Sequence, residues 1–171
     1  MGLREIFKIE WQINTHIKVS RFFYYKMPIG GRFISSTMDR LLLIIYGVEL
    51  MSFSINVNKL SITHPSGILL GGNGVFSKGR VVIMSGVKFG GRSPNDELYL
   101  KKHKEQKVFE LGDNVVIGTS SIILGPVTIC DNVMIGSMSL VNKSISEPGV
   151  YVGIPAKKIS EQISYDWVSH L

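Results

Sequence analysis

A chain of 171 residues, 44% of them hydrophobic, is long enough for one domain that buries its core without disulfide or metal staples. The single cysteine, Cys130, excludes an intramolecular disulfide framework. The formal charge of +6 suits nucleic acid, an anionic membrane surface or a phosphorylated small molecule, but the basic residues are scattered and no aromatic-basic motif occurs, so no nucleic-acid partner is expected. No apolar run reaches the ~18 residues of a membrane span and the N-terminus opens on charges, so the expected location is the cytoplasm.

Residues 1–46 form an N-terminal helical segment. A helix is predicted over 3–27 from the stripe Ile6, Ile9, Ile13 and Ile17, with Lys8, Gln12 and Lys18 off it. Met27-Pro28-Ile29-Gly30-Gly31 breaks it, and a second helix is predicted over about 33–46 with the stripe Ile34, Met38, Leu41 and Ile45. The stripes are expected to pack on the rest of the chain or on each other. The alternative is peripheral contact with the inner face of a membrane, because Arg4, Lys8, Lys18, Arg21 and Lys26 accompany Trp11, Phe22, Phe23, Tyr24 and Tyr25.

From Gly47 to Ile159 the chain is β-rich. Leu70, Phe76, Ile83 and Phe89 keep an irregular inward register, and Leu111 then follows Phe89 by 22 positions. The surplus, 92–107, is polar and charged and is expected to leave the core as a loop. Beyond it an aliphatic residue recurs every six positions, at Leu111, Ile117, Ile123, Ile129, Ile135 and Val141. The fifth place is small or β-branched (Val115, Ser121, Val127, Val133, Ser139), and Asp113-Asn114 and Asp131-Asn132 supply corners. Three such short strands make one coil of a parallel β-helix, with the aliphatic place pointing inward. Glu147-Pro148-Gly149 is a turn, Gly153-Ile154-Pro155-Ala156-Lys157-Lys158-Ile159 ends the coils, and the tail 160–171 is expected to cap the open end with a short helix.

The histidines are His16, His64, His103 and His170. Only His64 has a suggestive setting, Ile62-Thr63-His64-Pro65-Ser66-Gly67-Ile68 at the rim of an early coil, where both a turn residue and a catalytic base remain open readings. Cys130 lies in a hexad and reads as structural.

From Arg21 to Ile159 the order of features resembles the hexapeptide-repeat acyltransferases, in particular serine acetyltransferases and the related O-acetyltransferases of bacterial surface polysaccharides. The pieces that carry the resemblance are Gly47-Val48-Glu49-Leu50, the His64 segment, Ser85-Gly86-Val87-Lys88-Phe89-Gly90-Gly91, the hexads and Gly153-Ile154-Pro155-Ala156-Lys157. The resemblance implies a mainly β fold, a left-handed parallel β-helix, assembled as a homotrimer. It implies His64 as general base and Glu49, fifteen places earlier, as the acid that orients it. The chemistry calls for such a pair: a neutral imidazole accepts the hydroxyl proton, and a carboxylate fixes its tautomer. Acetyl-CoA is the implied donor, with backbone contacts at Gly90, Gly91, Thr119 and Ser137 and the Lys157-Lys158 pair near its phosphates. Transfer is direct, without an acyl-enzyme.

Two departures bear on the acceptor. Serine acetyltransferases carry a histidine just before the regular hexads and an aspartate directly before the catalytic histidine; here those places hold Val108 and Thr63. The expected acceptor is therefore a sugar hydroxyl of a surface polysaccharide or its precursor, with serine as the alternative. His103 is the one candidate to replace the missing histidine, set against a solvated loop residue. The loop lysines 101, 102, 104 and 107 point to an acidic or phosphate-bearing sugar. A zinc carbonic anhydrase on the same prism needs three histidines close together; these are dispersed, so no metal is expected. A non-enzymatic β-helical scaffold is the remaining alternative, and the Glu49–His64 spacing argues against it.

Overall fold

The computed structural model describes residues 8–93 and 95–161. Arg4, Ile6, His170 and the capping helix expected in the tail lie outside them.

The hexads build a prism of triangular section. One face is the parallel sheet β1 (Val48–Leu50), β3 (Ile68–Gly71), β5 (Lys88–Gly91), β8 (Ile122–Gly125) and β11 (Leu140–Val141), in that order. The other two faces share the long strands β2 (Ile55–Thr63) and β4 (Val75–Met84), which bend from one face onto the next. The first half of β4 aligns with β6 (Phe109–Leu111), which pairs with β9 (Val127–Ile129). Its second half aligns with β7 (Val115–Ile117), followed by β10 (Val133–Ile135) and β12 (Gly149–Val152). β13 (Lys157–Ser160) closes that face antiparallel to β12.

All six aliphatic hexad places and all five fifth places are buried, as the period predicts. Register stacks them in columns, one to a face: Ile62, Ile83, Ile117 and Ile135; Phe89, Ile123 and Val141; Leu111, Ile129 and Ile145. Asn114 and Asn132 take φ of 54° and 57°, the left-handed corners that asparagine tolerates. In the irregular part the expected register is corrected: Val75, aligned with Phe109, points inward, whereas Phe76 pairs with Glu110 and is only half-buried.

The helical segment departs further from expectation. Helices α1 (Ile9–Lys26) and α2 (Gly31–Tyr46) form where the breaks placed them, and Ile13 and Ile17 are buried while Ile9 is 45% exposed. The buried face of α2, however, is Gly31, Ser35, Asp39 and Leu42; of the expected stripe, Leu41 and Ile45 are exposed. Close approach decides this. A Cβ on Gly31 would stand 2.2 Å from the Phe23 carbonyl oxygen, so only glycine lets α2 cross α1 there. The seam is then filled by Ser20 and Ser35, whose hydroxyls lie 2.8 Å apart, and by the Asp39 carboxylate. Asp39 accepts from Ser20 Oγ at 2.9 Å, from the Ser52 backbone N–H at 2.8 Å and from the Ser52 hydroxyl, which ties the hairpin to the 3-10 turn Ser52–Ser54 below. A buried carboxylate is stable only with such donors, and apolar residues in this seam would leave the Ser52 N–H unpaired.

His16 sits beside this cluster with its Nε2 buried, unbonded and 3.8 Å from Asp39. Burial lowers its pKa below the ordinary imidazole value, outweighing the pull of the carboxylate. The ring is therefore neutral in the fold, and the unfolded chain takes up the proton first as pH falls below about 6.5. This contribution to stability is complete above that pH and is lost as pH drops through the lower folded value. Melting temperatures measured from pH 7.5 down to 5 should fall more steeply for the native chain than for His16→Gln; parallel curves would remove His16 from the account.

Candidate active site

The site is built on one edge of the prism, where each coil turns onto the face of β1, β3, β5, β8 and β11. Successive corners stack there through backbone bonds: Gly86 N–H donates to the Ser66 carbonyl at 2.7 Å, Ser120 N–H to Ser85 at 2.9 Å, and Met138 N–H to Thr119 at 2.8 Å. Buried fifth-place serines stiffen the edge from inside. Ser121 Oγ donates to the Gly136 carbonyl at 2.9 Å, and Ser139 Oγ accepts from Gly153 N–H at 3.1 Å.

His64 stands at the first of these corners. Thr63 aligns with Met84 and Leu69 with Lys88, so the chain spends two more residues at this corner than at the next. His64 carries a left-handed φ of 53°, and its ring is exposed and bonded to no other described residue. A surplus residue in strained backbone, presented to solvent at the end of a rigid strand, is the placement expected of a group that acts on a ligand rather than on the core.

Glu49 lies on β1 and faces outward, aligned with Leu69. Gly47, two residues before it, lies over Ser66 and Gly67, so the structure brings Glu49 and His64 to the same end of the same edge. It forms no hydrogen bond between them. Glu49 lines a 340 Å³ cavity under α2 with Arg32, Arg40 and Tyr24 among its walls, and His64 does not line it. A larger cleft of 550 Å³ between α1 and β2 likewise lacks both candidates.

Thr119 and Ser137 fall on the His64 edge one coil apart, and neither N–H bonds to another described residue. Two free donors at successive corners, Ser137 exposed and Thr119 half-buried, fit the amide-bearing arm of a long polar ligand. Gly90 and Gly91 lie at the far end of β5, about 10 Å of strand away. A Cβ on Gly91 would meet the Tyr99 ring at 2.7 Å, so this glycine is required by packing within the chain. Lys157 is exposed, but Lys158 is held by Glu147 at 3.0 Å and Glu161 at 3.7 Å, which raises its pKa through the Glu147 hydrogen bond first. Of the lysine pair, Lys157 is the one with no ion pair among the described residues.

The loop leaves the prism as expected, between β5 and β6, but it contains a helix, α3 (Glu97–Lys104). Asp96 caps it by accepting from the N–H groups of Leu98 and Tyr99, and the lysines and His103 of its last turn oppose the dipole correctly. That Asp-Glu start and basic end were readable in the sequence, masked by the charge. Tyr99 is buried and donates to Asn73 at 3.0 Å; Arg92 reaches the Asn142 carbonyl. These contacts hold the loop to the edge opposite His64. Lys102 pairs with Glu110, Lys107 lies 4.7 Å from the centre of the Phe76 ring, and His103 stacks on Tyr99. Within one chain His103 therefore does not replace a histidine beside His64. Val108, at the family's second-histidine place, is fully buried.

Residues 110–143 match the bacterial transferase hexapeptide family model of six repeats. The serine acetyltransferase of Staphylococcus epidermidis is 28% identical over 150 residues, which cover 87% of this chain and 66% of that protein. The Brucella abortus serine acetyltransferase superposes with a TM-score of 0.74 at 19% identity, over 90% of this chain and 58% of the other. The soybean enzyme, solved in complex with serine, gives 0.72 at 20% identity over 87% and 56%. The chain thus spans less than two thirds of the length of these relatives. Residues 110–143 thus carry the hexapeptide repeat, and the chain has the left-handed β-helix fold of these solved serine acetyltransferases.

Proposed function

We propose that the protein is an acetyl-CoA-dependent O-acetyltransferase, and the observation that carries this reading is the exposed His64 on the same edge as the free N–H donors of Thr119 and Ser137. A structure of the Brucella abortus relative in complex with coenzyme A supports the donor. His64 takes the proton of an acceptor hydroxyl as its oxygen attacks the thioester carbonyl. The tetrahedral oxyanion collapses, the carbon–sulfur bond breaks, and the imidazolium returns the proton to the leaving thiolate. Backbone N–H groups of the edge stabilise the oxyanion. Acetyl passes straight to the acceptor, and Cys130, half-buried and with its pKa raised by burial, takes no part.

For the acceptor, the relatives favour L-serine over the saccharide expected from the sequence. A sugar hydroxyl stays as a second reading on one observation: Thr63 and the buried Val108 replace the two side chains with which serine acetyltransferases hold the amino acid. Since loop 92–107 is held to the edge away from His64, it walls the acceptor site of a neighbouring prism in a trimer, where two faces close a cleft that one face leaves open.

Release of free thiol from acetyl-CoA, measured with L-serine and with a panel of acidic and neutral saccharides, separates the readings. Turnover with serine assigns the amino acid; turnover with a saccharide alone assigns the second reading. An intact protein that releases no thiol with either acceptor class would overturn the assignment. Trimming the loop should lower acceptor turnover by about tenfold or more and leave acetyl-CoA affinity unchanged.

A further inference from the structure

The helical hairpin buries Ile13, Ile17 and Leu42 but is small and polar where its helices cross, at Ser20, Gly31, Ser35 and Asp39, while its outer surface carries Phe22 at 59% exposure, Ile29 at 86%, Phe33 at 77%, Ile44 at 77% and Ile45 at 63%. Phe33, Arg40 and Ile44, spaced seven and four apart, lie on the side of α2 opposite Gly31, Ser35 and Leu42, with Leu41 beside them. Ile29 stands at the tip, in the break between the helices. Single exposed apolar residues are ordinary, but ten of the seventeen exposed large hydrophobic side chains among the described residues lie between Ile9 and Ile45, and such a concentration marks a surface that something covers.

Charge says what covers it. From Trp11 to Tyr46 the sole acidic residue is Asp39, and it is buried in the seam. Lys18, Lys26, Arg32 and Arg40 are all exposed. The outer hairpin thus combines bulky apolar side chains with an excess of positive charge, the pattern of an element that lies in a headgroup layer. A face that packed on a second copy of itself would bring these four cations against their equivalents. Neither α1 nor α2 is long and apolar enough to cross a membrane, so the contact is peripheral.

We propose that the α1–α2 hairpin docks on an anionic lipid surface, with Ile29, Phe33 and Ile44 entering the acyl boundary and Lys18, Lys26, Arg32 and Arg40 facing the phosphates. The hairpin rises from the β1 end of the prism, so docking leaves the column of corners from Ser85 to Ser137 in water. The contact stands on its own whether or not the protein transfers acetyl groups.

The test is co-sedimentation of the full chain with vesicles of phosphatidylcholine containing about 30% phosphatidylglycerol, and with phosphatidylcholine alone. Binding is expected to the first and to fall with salt. Each exposed base changed to Gln should weaken it by about fivefold. Phe33→Ser with Ile44→Ser should weaken it by about tenfold or more, with circular dichroism and melting unchanged because both side chains are exposed. No pelleting with anionic vesicles at low salt overturns the proposal. So does unaltered pelleting of the double variant, and so does a double variant whose native mass drops, since that shows the face is closed by a second copy.

Discussion

Replacing His64 should lower kcat by about 10²- to 10⁴-fold while leaving the fold and acetyl-CoA affinity in place. The ring is exposed and makes no bond within the described chain, so its loss removes no packing. The donors proposed for the cofactor arm are backbone N–H groups of other coils, so binding has no reason to change. The choice of substitution matters because φ is 53° at this position. Alanine adds a backbone penalty of about 1 kcal/mol there, whereas asparagine tolerates the left-handed region and cannot serve as a base. His64→Asn therefore separates chemistry from strain, and native turnover in that variant would end the mechanism. Glu49→Gln tests a different link. Glu49 shares the edge with His64 but is not bonded to it, and it also lines the cavity beneath α2. A loss smaller than that of His64→Asn, in kcat alone, fits a carboxylate that sets the imidazole when substrate is bound. Unchanged kinetics would assign Glu49 to the cavity.

How legible each part was depends on whether local spacing or a distant contact decides it. The hexads were readable because every coil repeats the same demand: an aliphatic group inward, a small one beside it, a corner that accepts positive φ. Ile117 and Ile135 need no knowledge of the rest of the chain to be placed. His64 was readable as a position, through the family pattern, but its two-residue bulge shows only once Thr63 and Met84 are aligned. The inverted α2 was not readable. Its apolar periodicity is genuine, yet the stripe ends up half-buried at Ile34 and Met38 and exposed at Leu41 and Ile45, because Gly31 and the Asp39–Ser52 bonds fix the seam through contacts that local spacing does not show. Helix α3 was missed for another reason: its capping aspartate and basic end are correct signals in a segment too charged to look like a core helix. Gly91 was assigned to the cofactor by resemblance, although the Tyr99 ring beside it already accounts for a glycine there.

The contrast between the hexads and α2 yields the largest stability effect. Ile117 is fully buried in the middle of the column that runs from Ile62 through Ile83 to Ile135. Truncation to alanine leaves a void between coils that are pinned by their corners and cannot collapse, so Ile117→Ala should cost about 2–5 kcal/mol. A domain with a net stability of about 5–15 kcal/mol keeps little margin after such a loss. The position also matters because a β-helix holds each coil only through its neighbours, so a defect in a middle coil uncouples those on both sides. Ile45, just as apolar and just as periodic in its own helix, is 63% exposed, and Ile45→Ala should stay within about 0.5 kcal/mol. Urea unfolding of the two variants decides the matter. Equal shifts in midpoint would mean that α2 buries its apolar stripe after all, and would remove the surface on which lipid docking rests.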